Sequence, residues 1–314
     1  MFRNDIITSH CIYGVIMANL QKMIKLTEEE NKIFGDFIKK QRKLHITTPK
    51  DNAKNAYMNN KDKLETLLKM QHISQFIHQL RAHCFDEFLI EEANLNEVIL
   101  SSLGSQFTIP RSIITELSKN LYNLKHQNID EFTINLQNTF GEYIGHVTPY
   151  LYQLLLSNTQ SRRSRAGKTF EGIIYFLYEH LNYSFDSQSK IGKQKFTNLG
   201  LGKVVDSILP SITAFEQRRN KTIVGSMKTT LRERWQEVVE ELQRSNLPNI
   251  HLLTVDEDIS TNKINQMAMH NIVLVVLKEI KDLPHCRDKR SVISFEEYFL
   301  QEIPTYLNYW KNNV

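Results

Sequence analysis

Residues 221–241 read Lys221-Thr-Ile-Val-Gly-Ser-Met-Lys228-Thr-Thr-Leu-Arg232-Glu-Arg234-Trp-Gln-Glu-Val-Val-Glu-Glu241. Thr222–Met227 is a short apolar run closed by a lysine, the pattern of a buried strand. A helix follows over Leu231–Arg244 and stops near Pro248. Upstream, Lys203–Leu209 reads as another strand, ended by Pro210, and carries Val204-Val205-Asp206. If the two strands are neighbours, Asp206 and Lys228 meet at one sheet edge. Two acids and a lysine spread over two strands and a helix can hold a divalent metal and activate a water.

Reading outward, Arg165–Leu181 is an amphipathic helix with Phe170, Ile173, Ile174, Leu177 and Leu181 on one face. Ile250–Val255 and Asn271–Leu277 are apolar enough for buried strands. Phe295–Trp310 reads as helix interrupted by Pro304. Helix, strands, helix, strand, strand is the order of an α/β core with helices on both sheet faces. The first half is mainly helical. Leu64–Phe88 has helical spacing, Pro110 opens a helix to about Leu124, and Asp130 caps another towards Tyr150, interrupted at Pro149. The polar stretch His45–Asn60 reads as a mobile loop. It separates an N-terminal extension, residues 1–60, from a main domain over residues 61–314, whose chemistry is concentrated in residues 160–280.

A net charge of +4 does not by itself argue for nucleic acid, but the charges are clustered. Arg162, Arg163, Arg165 and Lys168 form a basic block with no acid between them. Arg218, Arg219, Lys221, Lys228, Arg232 and Arg234 form a second, against Glu216 and Glu233. Such blocks suit phosphate contacts, and each is equally readable as solvated surface. Three scattered cysteines, Cys11, Cys84 and Cys286, give no disulfide framework and no zinc spacing, which fits a reducing, cytoplasmic setting. Ile12–Leu20 is mildly apolar but short and includes Asn19, so it reads as part of the fold rather than a signal peptide. No run is long enough to span a membrane.

Phosphodiester hydrolysis requires a cation to neutralise the scissile phosphate and acidify a water. Magnesium takes one or two carboxylates together with substrate oxygens, and a lysine can stabilise the developing charge. Asp206, Lys228 and an acid from Glu237, Glu240 or Glu241 provide these groups, and Glu171 can add a carboxylate from a second direction. Each has a plain structural alternative. Asp206 can be a turn former, Lys228 a solvated strand end, and the glutamates exposed helix faces. Arginine pairs bidentately with guanine, and a carboxylate accepts from the cytosine amino group. Arg232, Glu233 and Arg234 therefore match two adjacent G·C pairs. A Thr230–Glu233 capping box and mutual ion pairing compete with that reading.

Ser226-Met-Lys228, twelve residues, then Glu241 resembles the S-x-K-x12-E form of the PD-(D/E)xK nuclease motif, with Asp206 as its first acid and valine in place of the usual proline. Lys228-Thr-Thr-Leu-Arg-Glu-Arg234 and Gln160-Ser-Arg-Arg-Ser-Arg-Ala-Gly-Lys-Thr-Phe-Glu171 look like the CCGG-family type II restriction endonucleases, in particular the SsoII/EcoRII/PspGI branch. The likeness covers Gln160 to Glu241 well and the flanks loosely. The fold it implies is a restriction-endonuclease-like PD-(D/E)xK core, a mixed central sheet flanked by helices, with a mainly helical N-terminal part.

The function it implies is Mg2+-dependent cleavage of double-stranded DNA at a palindromic CC-N-GG-type site by a homodimer, beside a cognate methyltransferase. Asp206 and Glu241 would be metal ligands, Glu171 an accessory acid at a second metal position, and Lys228 the catalytic lysine. Only the family spacing selects Glu241 over Glu240. Arg232, Glu233 and Arg234 would read the GG/CC half-site, and Gln160 would touch outer base pairs. Members of this branch flip the central base pair into a pocket pairing an arginine with an aromatic residue one turn later, a spacing that Arg81 and Phe85 have. Phe85 is also a plausible core residue, and both tryptophans, Trp235 and Trp310, lie elsewhere. The long N-terminal part can serve dimer packing or read a longer site such as T-CC-N-GG-A. Two rivals share the scaffold: a catalytically silent DNA-binding protein and a structure-specific repair nuclease.

Overall fold

The computed structural model describes residues 25–202, 204–232, 235–245 and 247–313. Cys11, the segment Ile12–Leu20, Glu233 and Arg234 thus lie outside the described residues. Two compact units emerge, one from the chain up to Thr47 with Leu89–Ser161, the other from Thr48–Phe88 with Arg162–Val314.

The first unit is helical. Helix α1, Glu28–His45, starts at a Thr27–Glu30 capping box, in which the Glu30 amide donates to the Thr27 hydroxyl at 3.2 Å. Its core gathers Phe34, Ile38, Leu95, Ile99, Leu103, Phe107, Val147, Tyr150 and Leu154. The Phe34 and Phe107 rings each pack 5.1 Å from Tyr150.

In the second unit, Pro49–Asn59 forms α2 and Lys61–Lys69 forms α3. The expected mobile loop His45–Asn60 is therefore mostly helix. Pro49 sits at the first helical position, where its missing N–H is harmless, Thr48 caps the start, and Ala53, Ala56 and Tyr57 are buried. The helix expected over Leu64–Phe88 is broken at Gln71, which takes a positive φ of 61°, and resumes as α4, Ile73–Gln106. Helix α5 is Thr108–Asn123. Helix α6, Ile129–His180, runs 52 residues straight through Pro149. The expected interruption fails because Val147, Tyr150 and Leu154 anchor both sides of the proline in the core. Arg165–Leu181 is thus the last stretch of a longer helix.

Six strands form one sheet in sequence order: β1 Asp186–Ser187, β2 Ser207–Leu209, β3 Ile223–Lys228, β4 Ile250–Thr254, β5 Ile272–Val276 and β6 Val292–Ser294. The first three pair antiparallel, with Ser207 opposite Gly225. The last four run parallel, with Lys228 opposite Thr254. Flanking helices include α7, Trp235–Ser245, α8, Thr261–Met269, and α9, Ile303–Asn313. This is the mixed, helix-flanked sheet expected. Helix α7 starts four residues later than the periodicity predicts, because Leu231 is buried and its amide is held by the Asp256 carboxylate at 2.6 Å. Near Pro304 the interruption takes the form of a π turn, Tyr298–Glu302. Among the described residues no helix is long and apolar enough to cross a membrane.

Because β2 and β3 are antiparallel, the start of β2 and the end of β3 lie at one edge. Their closeness depends on Gly225, where an added Cβ would come within 2.5 Å of the Ser207 hydroxyl. Gly225→Ala should therefore cost about 1–3 kcal/mol of stability. Adding Ser207→Ala, which removes the blocking oxygen, should recover most of it. Urea midpoints of the two variants check both expectations, and equal loss in the double variant would contradict the steric cause.

Candidate active site

Asp206 stands immediately before β2, not at a strand end, and is clasped at both main chain and side chain. Its amide donates to the Gly225 carbonyl at 2.8 Å, and its own carbonyl accepts from the Tyr175 hydroxyl at 3.0 Å and the Gln188 amide at 3.3 Å. Its carboxylate accepts from the Met227 amide at 2.6 Å. The next residue, Lys228, ends β3 and is only 9% exposed. The structure thus brings the Asp206 carboxylate to the β3 backbone one residue before Lys228.

Glu171 reaches the same region from α6. Burial pushes its carboxyl up from the usual range, against the pull of the Lys228 and Lys168 charges. Burial, followed by the charges of Asp206 and Glu171, likewise drives the Tyr175 hydroxyl well up. Tyr175 therefore sits in the field of both acids, and Glu171 in that of the lysine. On α7, Glu241 is 5% exposed and differently engaged. One carboxylate oxygen accepts from the Gly202 amide at 2.5 Å and from Arg244 at 2.7 Å. A Cβ on Gly202 would lie 2.1 Å from the other oxygen, so a larger residue there would displace the Glu241 carboxylate. Gln188 steadies this loop by donating to the carbonyls of Gly202 at 3.0 Å and Val205 at 2.7 Å. Among the described residues no three His, Cys, Asp or Glu side chains gather into a ready-made metal cage.

Arg232 is exposed and adopts a φ of +33°, in the left-handed region that non-glycine residues rarely occupy. The anchored Leu231 precedes it, and Glu233 and Arg234, which follow, lie outside the described residues. Gln160 is exposed on α6 in the first unit. Of the basic block on α6, Arg162, Arg163 and Lys168 are exposed. Arg165 is buried, its guanidinium 4.6 Å from the centre of the Phe88 ring.

That stacked pair belongs to a pocket of ≈ 380 Å³, whose lining includes His78, Arg81, Phe85, Phe88, Arg165 and Thr169. Phe85 is 50% exposed and so is not a core residue. Burial pulls the Arg81 guanidinium down, against Glu257 and then Cys84. Burial, reinforced by Glu87, pushes the Cys84 thiol up to about 12, so it remains an unreactive thiol. Helix α6 serves both places. Arg162, Arg165 and Thr169 line the pocket, whereas Lys168, Glu171 and Tyr175 lie on a face roughly 120° away at 3.6 residues per turn.

Sequence reasoning missed Tyr175, Gly202, Gln188, Arg244 and Asp256. Arg244, one turn after Glu241, is a spacing that could have been read as an ion pair. The others act through folding of distant segments and leave no local pattern.

The family described as EcoRII C terminal matches residues 127–299. The chain is 33% identical over 280 residues to the type II restriction enzyme SsoII of Shigella sonnei, covering 89% of this chain and 84% of that enzyme. A structure of metal-depleted Ecl18kI with uncleaved, modified DNA is similar at a TM-score of 0.70 and 29% identity, covering 92% of this chain and 87% of that one. The complex of restriction endonuclease PspGI with substrate DNA shares the fold at a TM-score of 0.56 and 18% identity, covering 84% of this chain and 94% of that one.

The raised Glu171 carboxyl makes a signed prediction. Folding disfavours its ionised form, so the stability it permits is complete below the unfolded value and is lost as pH rises through the folded one. Glu171→Gln should raise the urea midpoint at pH 7, with the gain shrinking as the pH is lowered into the usual carboxylate range. A gain that instead grows on acidification would contradict the assignment.

Proposed function

The chain belongs to the EcoRII C-terminal family of type II restriction endonucleases, and from that membership we propose that it cuts double-stranded DNA at a palindromic CC-N-GG-type site. The observation that carries the proposal is the Asp206 carboxylate pinned to the Met227 amide, directly beside buried Lys228. The coarser statement, a site-specific deoxyribonuclease, follows from the family itself.

The donor chemistry suits a hard cation. Asp206, Glu171 and Glu241 offer only carboxylate oxygens, and magnesium needs one or two of these together with phosphate oxygens and water. When bound, Mg2+ supplies charge neutralisation on the scissile phosphate and acidification of a water. The chain's own groups do the rest. The Met227 amide on its carboxylate and the Tyr175 hydroxyl on its carbonyl hold Asp206 in one orientation. Lys228, buried and one residue past Met227, is assigned to charge developing on the phosphate, where low dielectric would strengthen its hold. The raised carboxyl of Glu171 favours a proton-accepting role or a second cation position. Arg244 neutralises Glu241 in the described state.

Base reading is assigned to Arg232, with Glu233 and Arg234 beside it. The buried Leu231 and the Asp256 bond fix the start of this loop, and the left-handed backbone of Arg232 is local strain of the kind found at functional positions. A guanidinium presented there can take guanine O6 and N7 bidentately. Gln160 is assigned to the outer base pairs, and Arg162, Arg163 and Lys168 to phosphates. The pocket between Arg81 and Phe85 is assigned to a flipped central base, since its half-exposed ring and guanidinium offer a stacking face and a polar edge. Buried Arg165 lines this pocket and so approaches such a base rather than the duplex backbone. A palindromic site implies a homodimer with one active site per strand, and a cell holding such an enzyme needs a methyltransferase of matching specificity.

Digesting a sequenced plasmid with Mg2+ and mapping the ends tests the proposal. Cleavage outside CC-N-GG-type sites, or none, would overturn it. Asp206→Ala and Lys228→Ala should each abolish cleavage while gel shifts on specific DNA persist. Arg232→Ala should lose discrimination by about 1–3 kcal/mol, read as the ratio of specific to random-sequence affinity. With 2-aminopurine at the central position, the wild type should raise fluorescence on binding, and Arg81→Ala with Phe85→Ala should abolish the rise.

A further inference from the structure

The second basic block of the sequence is divided by β3. Lys228 and Arg232 lie at or beyond its end, whereas Arg218, Arg219 and Lys221 precede its start. Six residues at about 3.3 Å each put the two halves roughly 20 Å apart, at opposite ends of the strand. The near half belongs to the active site, and the far half has no part in it.

The far half is organised by aromatic rings from α9. Lys221 Nζ sits 5.0 Å from the centre of the Tyr309 ring, and the Arg218 guanidinium lies 6.0 Å from the same centre while donating to the Tyr309 hydroxyl. The Trp310 indole N–H donates to the Lys221 carbonyl at 2.6 Å and fixes the backbone beneath. Arg219 stacks 5.0 Å from the Phe215 ring centre and donates to the Ser245 carbonyl at 3.0 Å. Lys311 adds an exposed cation one residue past Trp310. Among the described residues, no carboxylate lies within ion-pairing distance of these four cations. A cleft of ≈ 550 Å³ opens beside them, bordered by Gln217, Trp310 and Lys311.

Arg219 has a structural duty, since it caps the carbonyl end of α7. Docking of α9 accounts for the Trp310 bond. Neither accounts for two cations sharing one ring with no neutralising acid among the described residues. Cations held on rings lose little further rotamer freedom when they bind an anion, and a stacked guanidinium keeps N–H edges for phosphate oxygens. Pre-ordered positive charge that no described carboxylate pairs, on a DNA-cutting protein, suits the phosphate backbone of duplex DNA. We propose that Arg218, Lys221 and Lys311 form a second DNA-backbone contact, one that engages a duplex segment other than the one lying at Lys228. That segment is either the distant flank of the same molecule or a second molecule.

The test is metal-free binding by Arg218→Gln/Lys221→Gln, with two DNAs that hold the same single site, a short duplex and a long one. The proposal expects wild type and variant to bind the short duplex alike, which also shows that the variant is folded. If the segment is the distant flank, the wild-type plot of log affinity against log salt should be steeper on the long duplex than on the short one by ~3 per protomer, at ~0.9 per phosphate for three cations, and the variant, which keeps Lys311, should lose ~2 of that excess. If it is a second molecule, the wild type bound to the short duplex should also capture a labelled random-sequence duplex, and the variant should not. Equal salt slopes for both proteins together with no difference in capture would overturn the proposal, as would a change of oligomeric state as the only effect. Should the double variant fail to fold by circular dichroism, Lys221→Gln/Lys311→Gln leaves the Arg218–Tyr309 bond intact and carries the same comparison, with the same results supporting or overturning the patch. A wrong assignment of CC-N-GG would show in wild-type binding to the short duplex, and so is separable from a failure of the patch.

Discussion

A single bond, from the Met227 amide to the Asp206 carboxylate, organises the candidate active site. It can form because the sheet changes direction at β3. The antiparallel β2 brings its start to the end of β3, while the parallel β4 to β6 place their own ends at the same edge. Ligand sites in parallel sheets lie beyond the carboxyl ends of the strands, and here the antiparallel neighbour adds an acid to that edge from the opposite chain direction. Lys228 arrives from β3 and the anchor residue Asp256 from just beyond β4, so the groups proposed for cleavage and the loop proposed to read bases share one rigid support. Side chains held by strands keep their geometry better than side chains held by loops.

Helix α6 extends this support outward. A long helix preserves the angular relation among its side chains, so pocket residues and candidate active-site residues on its two faces are locked in mutual orientation. Phe170, Ile173, Ile174 and Leu177 are fully buried between those duties and hold the helix to the sheet. Lys168 and Glu171 are then neighbours by helical spacing as well as by electrostatics. The same segment sets the distance between the place proposed for phosphate chemistry and the pocket proposed to receive a base.

Much of the sheet was legible because β3, β4 and β5 are apolar runs closed by polar residues, and burial of both faces demands such runs. The strands β1 and β6 were not, because two or three residues carry no periodicity. The signs at Pro49 and Pro149 pointed to a loop and a break, and both pointed wrongly for one reason: proline is costly only where its missing N–H or its ring meets an intolerant position, and that depends on packing that local sequence does not display. The pairing of Asp206 with the end of β3 was accessible from strand order alone. The hold of Gly202 on Glu241 was not, since the two residues are 39 positions apart and glycine announces only that something comes close.

The residues that break local rules are concentrated where the chemistry is assigned. Lys228 is buried although lysine seldom is, and Glu171 is held above its ordinary range by that same burial. Arg81 is pulled below its own, and Arg232 occupies a backbone region that suits glycine. None of these choices would be made for stability alone, because each desolvates a charge or strains a bond. A sheet edge that served only to close a core would be built from apolar side chains and would be more stable for it. The fold tolerates the arrangement because Ile208, Leu209, Ile223, Val224, Leu252 and Val275 are buried in the core of the same sheet. Rigid packing below and unfavourable charge above are two parts of one design: the first lets the second persist at the edge where a polyanion would supply the missing counter-charge.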